Sequence, residues 1–335
     1  MNLPSFPLRR VLVVSMLLFA LVPAVAVGWL LYRSNVQSVR ALATTTLGDV
    51  AERVQNDTEF QLHQAHTIFN GLLLPEPSSR QLKAAVQLIA QPERFEATAF
   101  TLTRMSHYVS HIYFGTPRGE FLGIEAEQHQ SSGSVTVREQ KPGQDRRTFY
   151  AASMPGDRNQ RTALEGKTFD SRGRPWYQGA VAQRGRLFTP VYLSASKKAL
   201  IITLAQPVFE EDGGLIGVFG LDMFLTRINE TLQVQRISPN GAAYLLDEQG
   251  MLVASSTGDA LFTETDGRLE RVRPLSSANT VTRDSYQALS ESLRKIREGS
   301  VQRGTQTKRI PMADGGTMLA VLRPFGEDLG LKWTM

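Results

Sequence analysis

Hydrophobic and polar positions along the chain fall into three textures. From Val11 to Tyr32 no residue is charged, and the run matches the ~20 residues needed to span a hydrocarbon core. Beyond it Val36, Val39, Ala43, Leu47, Val50, Val54, Thr58, Leu62, Ala65, Phe69 and Leu72 recur every three or four positions, the helical period. This spacing predicts a long helix that continues the apolar run and ends before Pro75 and Pro77.

A second helix is expected at about Ser79 to Ala90, after which short β-like runs take over. Strands are predicted near His111 to Phe114, Phe121 to Glu125, Ser134 to Arg138, Arg186 to Leu193, Leu200 to Val208 and Leu215 to Asp222. Turn clusters such as Thr116-Pro-Arg-Gly119 and Glu211-Asp-Gly-Gly214 separate them, so the sheet should be antiparallel. A helical stretch at about Phe224 to Gln235 leads to Ser238-Pro-Asn-Gly241, a natural domain boundary. A smaller copy of the pattern follows: strands at Ala242 to Leu246 and Met251 to Ser255, a helix near Ser285 to Glu298, then Thr317 to Leu322 and Trp333.

Arg9 and Arg10 precede the apolar run and would hold the N-terminus in the cytoplasm, sending the rest outward, with Arg33 on the far side reducing the asymmetry. Trp29 and Tyr32 suit an interfacial belt. A cleaved signal peptide is the competing reading, because Ala24-Val25-Ala26 has the small-x-small form. Signal cores are usually ~7–15 residues, and this run passes through that point. The expected organisation is a cytoplasmic terminus (1–10), a transmembrane helix (11–32), a stalk helix (33–78), a membrane-distal lobe (79–236) and a membrane-proximal lobe (237–335).

Composition narrows the function. Basic and acidic side chains, 37 against 32, are interspersed, and neither Arg146-Arg147 nor Lys197-Lys198 is interleaved with aromatics, so no nucleic-acid partner is expected. Cysteine is absent, which excludes disulfides and thiolate chemistry. The pairs His63/His66 and His107/His111 have helical spacings but no third ligand nearby, and no metal or cofactor is expected. There is no Walker loop, Gly-x-Ser-x-Gly elbow or His-Glu-x-x-His.

Candidate chemistry concentrates in Phe169-Asp-Ser-Arg-Gly-Arg-Pro-Trp-Tyr-Gln-Gly-Ala180. Pro175 suits a helical first turn running to about Ala182, which places Arg174 at the helix N-terminus, where free N–H groups favour an anion. A guanidinium there can grip a carboxylate with Trp176 and Tyr177 as walls. Taken alone, an Arg-x-Trp is better explained by Arg174 stacking on Trp176 or capping a loop, and Asp222 by a strand-end or helix-cap role.

The combination resembles the double Cache (dCache) family of extracytoplasmic sensors over the whole chain after the anchor. Arg174 to Ala180 is its most specific part, and Ala243-Tyr-Leu-Leu-Asp-Glu-Gln-Gly250 opens the second lobe. The resemblance implies an α+β fold of two PAS-like lobes with antiparallel sheets strung on a long N-terminal helix. It also implies a ligand site of Phe169, Arg174, Trp176, Tyr177, Tyr192, Ser194 and Asp222. In the amino-acid-binding branch the Arg, Trp and Tyr contact the ligand carboxylate, while a Tyr-x-Asp and a last-strand Asp hold the ammonium. Here Phe169 replaces a tyrosine and Ser194 replaces the first of those aspartates, so a carboxylate without an ammonium, or a differently posed amine, is as well accommodated.

The resemblance further implies a bacterial inner-membrane receptor with its lobes in the periplasm, a homodimer through the stalk, and no catalysis in the lobes. A second membrane helix and a cytoplasmic output such as a methyl-accepting domain, histidine kinase or nucleotide cyclase would follow Met335. Two other classes stay open at this stage. One is an extracytoplasmic enzyme using Asp170, Asp222 or His111, and the other is a protein-interaction module with a vestigial pocket.

Overall fold

The computed structural model describes residues 8–105, 107–126, 135–194, 197–235, 237–238, 240–265, 268–299, 304–312 and 316–335. It divides into two compact units, Met1–Asp49 with Thr307–Val321, and Val50–Gln306 with Leu322–Met335.

Helix α1 is continuous over Leu8–Phe69 and carries Pro23 inside. Its apolar first part lies open, with Leu17, Phe19, Leu30 and Tyr32 all more than half exposed, and with a mean hydropathy of 2.0 it is long and apolar enough to cross a membrane. From Val50 onward the helical stripe is buried: Ala51, Val54, Thr58, Leu62, Ala65 and Phe69 face a core. The helix stops at Phe69 rather than at the prolines, because Asn70 to Leu73 turn back to bond His66, Ile68 and Phe69 carbonyls.

Helix α2 (Ser79–Ala90) matches its expected span. Ser78 and Gln81 form a capping box. Helix α3 (Pro92–Arg104) was not expected; Pro92 starts it, and its buried Phe95, Ala99 and Phe100 follow helical spacing. Then come β1 (His111–Gly115), β2 (Phe121–Ala126), β3 (Val135–Gln140), β4 (Thr148–Ala152), β5 (Gln160–Leu164), α4 (Pro175–Gln183), β6 (Leu187–Phe188), β7 (Tyr192–Leu193), β8 (Leu200–Phe209), β9 (Leu215–Phe224) and α5 (Thr226–Gln233). The antiparallel sheet runs β5-β4-β3-β2-β1-β9-β8-β6, with β7 also on β8. Arg186 to Leu193, read as one strand, is thus two short ones. Strands β4 and β5 escaped notice because they are partly or fully exposed and show no buried face. Ser134, at the start of a predicted strand, lies outside the described residues.

One face of this sheet carries Ile112, Phe114, Ile124, Ile202, Leu204, Phe219 and Leu221 into a core shared with α1, α2 and α3. The opposite face carries His111, Tyr113, Asp222 and Thr203, as strand alternation requires.

The second sheet is β11-β10-β17-β16, built from β10 (Tyr244–Leu246), β11 (Leu252–Ser255), β16 (Pro324–Phe325) and β17 (Trp333–Thr334). A hairpin of β12 (Phe262–Thr265) and β13 (Arg268–Arg271) follows β11, and α6 (Thr280–Arg297) opens on an Asn279 cap. Strands β14 (Gln306–Pro311) and β15 (Thr317–Leu322) pair with each other. The architecture is α+β: a long N-terminal helix followed by antiparallel sheets.

Candidate ligand site

Two glycines shape the site. A Cβ on Gly220 would lie 2.2 Å from the Tyr113 ring, and one on Gly123 would lie 2.3 Å from His111 Nε2. The side chains of β1 therefore lie flat over neighbouring strands instead of standing up. Above them the sheet bears a small cavity of about 30 Å³, lined by His111, Tyr113, Phe121, Arg138, Arg147, Phe169, Arg174, Trp176, Tyr192, Ser194, Ile201 and Asp222.

Helix α4 starts at Pro175, as its sequence requires, and Arg174 is its N-cap residue in extended conformation. The half-buried Arg174 guanidinium donates from Nη2 to the Leu193 carbonyl at 3.2 Å and lies 5.4 Å from the centre of the Tyr192 ring. Trp176 packs edge-on to Tyr113, with centroids 4.8 Å apart. Tyr177 packs edge-on behind Trp176 at 5.5 Å and is not among the lining residues; burial raises its phenol above the ordinary value.

Asp222 is nine-tenths buried. Its Oδ1 accepts from Tyr113 Oη at 2.7 Å and from Thr203 Oγ1 at 2.6 Å, and its Oδ2 lies 3.4 Å from His111 Nδ1. Tyr192 Oη extends the chain to Thr203 Oγ1 at 2.6 Å. Burial holds both phenols well above their ordinary value, so they act as neutral donors. Burial also pulls the His111 imidazole down, against the opposing bond to Asp222.

Two further guanidiniums reach the cavity. Arg147 donates from Nε and Nη2 to Glu165 at 2.8 and 2.6 Å, and lies 3.5 Å from the centre of the Phe169 ring. Arg138 pairs with the buried Glu125, whose other oxygen takes Lys197 Nζ at 2.8 Å. Burial alone would raise the Glu125 carboxyl; Arg138, His111 and Lys197 override it and hold it below the usual range.

Six of the seven residues singled out from sequence, Phe169, Arg174, Trp176, Tyr192, Ser194 and Asp222, thus line one cavity. Tyr113, Arg138 and Arg147 were missed as site residues; the shared parity of His111 and Tyr113 on β1 was the available signal. His111 sits on a strand, so its spacing from His107 is not a helical pair. His63 stands 3.6 Å from Asp328, and no group of three metal-ligating side chains occurs among the described residues. Asp170 is exposed and bound by its neighbour Arg172 at 2.8 Å.

The family model for dCache_1, the Cache domain, matches residues 35–335. The chain belongs to the Cache-domain family. It is accordingly an extracytoplasmic sensor domain of a kind that is not itself catalytic. The methyl-accepting chemotaxis protein McpA of Pseudomonas putida is 34% identical over 92 residues, 27% of this chain and 14% of that protein. Adenylate cyclase 1 of Rhizobium meliloti is 24% identical over 213 residues, 61% of this chain and 30% of the cyclase. These matches and two to other chemotaxis proteins span only 12% to 30% of the relatives' lengths. Among solved structures, the ligand-binding domain of the Campylobacter jejuni chemoreceptor Tlp3 in complex with L-norvaline is 13% identical, with a TM-score of 0.45 and coverage of 90% of this chain and 89% of that one.

Proposed function

We propose that this Cache domain is the sensor of a transmembrane signalling receptor that binds a small carboxylate or amine-type ligand in the cavity of its nine-stranded lobe. The observation that carries the reading is Arg174, a half-buried guanidinium at a helix N-terminus whose hydrogen-bond acceptor is a backbone carbonyl, on a cavity that also exposes the Asp222 network. A ligand carboxylate can take over that guanidinium with two parallel bonds. Residues 79–236 act as the membrane-distal lobe and 237–335 as the proximal one, with 11–32 as the membrane helix.

The similarity to chemotaxis proteins supports a chemosensory role. Ligand binding would shift a population between two states, and stalks paired in a homodimer would carry that shift to a cytoplasmic output in a longer protein. A thermal-shift screen of the chain in detergent micelles against amino acids, organic acids, amines and purines tests the reading. At least one carboxylate or amine should raise the unfolding temperature, and Arg174→Ala should abolish that rise. A panel without effect, or one that stabilises Arg174→Ala equally, sinks it.

A further inference from the structure

At about 30 Å³ the cavity has room for roughly two water molecules, less than an amino acid or a comparable acid or amine needs. A ligand of that size is enclosed there only if a wall moves. The floor is fixed, because β1, β2, β3, β8 and β9 are hydrogen-bonded to their neighbours and pack their other face into the core. The opposite wall is lighter. It consists of Phe169, Arg174 and Trp176 around the start of α4 and of Tyr192 and Ser194 at β7, joined by the bond from Arg174 to the Leu193 carbonyl.

Helix α4 links that wall to the end of α1. It begins directly after Arg174 and runs over Pro175–Gln183, about 13 Å at ~1.5 Å per residue. Arg184, in the left-handed conformation at φ 53°, and Gly185 then lead straight to Arg186. Gln183 Nε2 donates to the Arg186 carbonyl at 3.3 Å, and the helix meets β6 at Gly179, where a Cβ would lie 3.3 Å from Leu187 Cδ1. A hydrogen-bonded helix of this length moves as a rod, with the ligand guanidinium before it and Arg186 behind it.

Arg186 directs its donors at the end of α1, whose last residue is Phe69. Nε donates to Gln206 Oε1 at 2.8 Å, Nη1 donates to Asn70 Oδ1 at 2.7 Å, and Nη2 donates to the Leu73 carbonyl. The guanidinium carbon lies 4.7 Å from the centre of the Phe69 ring. Gln206, 3% exposed on β8, completes the clamp by donating to the Leu74 carbonyl at 2.8 Å.

Resting on the sensor reading above, we propose that Arg186 couples the ligand site to the stalk, passing displacement of the α4 wall to residues 69–74 at the end of α1. Arg186 lies outside the cavity lining, so its role is to position and not to bind. The planar guanidinium suits this task, because its fixed fork reaches three acceptors on separate segments at once, which a lysine ammonium on a flexible stem does not.

Hydrogen exchange of the chain in micelles, read by mass spectrometry with and without acetate, lactate, L-alanine, butylamine or adenine, tests this. At least one probe should slow exchange in residues 174–183 by about threefold or more, and the same probe should change exchange in residues 70–74 by a similar factor. Arg186→Lys should keep the first response and lose the second. A merely structural role would alter exchange in residues 70–74 equally with and without the probe. Should Arg186→Lys fail to fold, Gln206→Met serves, with the same loss expected. A response in residues 70–74 that survives these substitutions, or a probe that protects residues 174–183 of the parent without altering residues 70–74, would overturn the coupling and leave the sensor reading standing. No response in residues 174–183 to any probe would overturn both.

Discussion

Tyr113 donates its hydroxyl to Asp222 Oδ1 at 2.7 Å across the β1–β9 ladder, and it reaches there because residue 220, beneath its ring, has no Cβ. Tyr113→Phe keeps the ring and removes the proton, leaving a buried carboxylate one donor short. The expected loss is about 1–3 kcal/mol, read from denaturant unfolding of the ligand-free chain. Gly220→Ala should cost at least as much, because the ring itself must move. Wild-type stability in Tyr113→Phe would show that the bond contributes nothing net.

Glu125 is 2% exposed between Arg138 and Lys197. Glu125→Gln keeps the shape but removes the buried negative charge that Arg138 and Lys197 face, and such a break costs on the order of 3–5 kcal/mol. The carboxyl is held below its ordinary value of 4.5 in the folded chain, so its contribution is present above that value. It is lost as pH falls through the lower folded value. Unfolding temperature against pH should therefore drop below pH 4.5 in the parent and be flatter in the variant.

His66 also destabilises the fold as pH falls, because burial and the nearby Arg186 push its imidazole down to about 4. It packs edge-on to Phe188 at 5.2 Å, with Nε2 buried and unpartnered. An unfolded histidine takes up its proton near 6.5, so stability is full above that value, declines as pH falls from 6.5 to about 4, and then levels. Solvent screening at this partly exposed site limits the effect to about 1–2 kcal/mol. His66→Phe should flatten that interval in pH-dependent unfolding; an unchanged slope would place the titration elsewhere.

Arg271 pairs with the fully buried Asp247, and donates to the Leu252 carbonyl at 3.0 Å and the Val191 carbonyl at 3.4 Å. Removing it leaves Asp247 charged, dry and short of its cation. Arg271→Met should cost on the order of 3–5 kcal/mol. Lys198 and Glu264 make an ion pair too, but both are about half exposed, and Lys198→Ala should change stability by less than about 1 kcal/mol. Equal effects from the two substitutions would contradict the role assigned to burial.

Period and punctuation alone determined much of this protein. The helical stripe from Val50 to Phe69, Pro175 at the start of α4 and the apolar runs of β1, β2, β8 and β9 are local properties, and each element formed close to where its residues predicted it. Arg174, Trp176, Tyr192 and Asp222 were legible because their residue types and order match a family pattern. Tertiary structure decided what depends on contacts distant in sequence. Strands β4 and β5 present no buried stripe, and are strands because β3 supplies their hydrogen bonds. Arg138 and Arg147 gave no sign of a place in the site until Glu125 and Glu165 were brought against them. The hydrogen-bond partners of Asp222 were not legible, because folding alone sets it beside Tyr113, 109 positions away. A carboxylate's surroundings belong to the folded chain because electrostatic interactions follow distance in space rather than order in sequence.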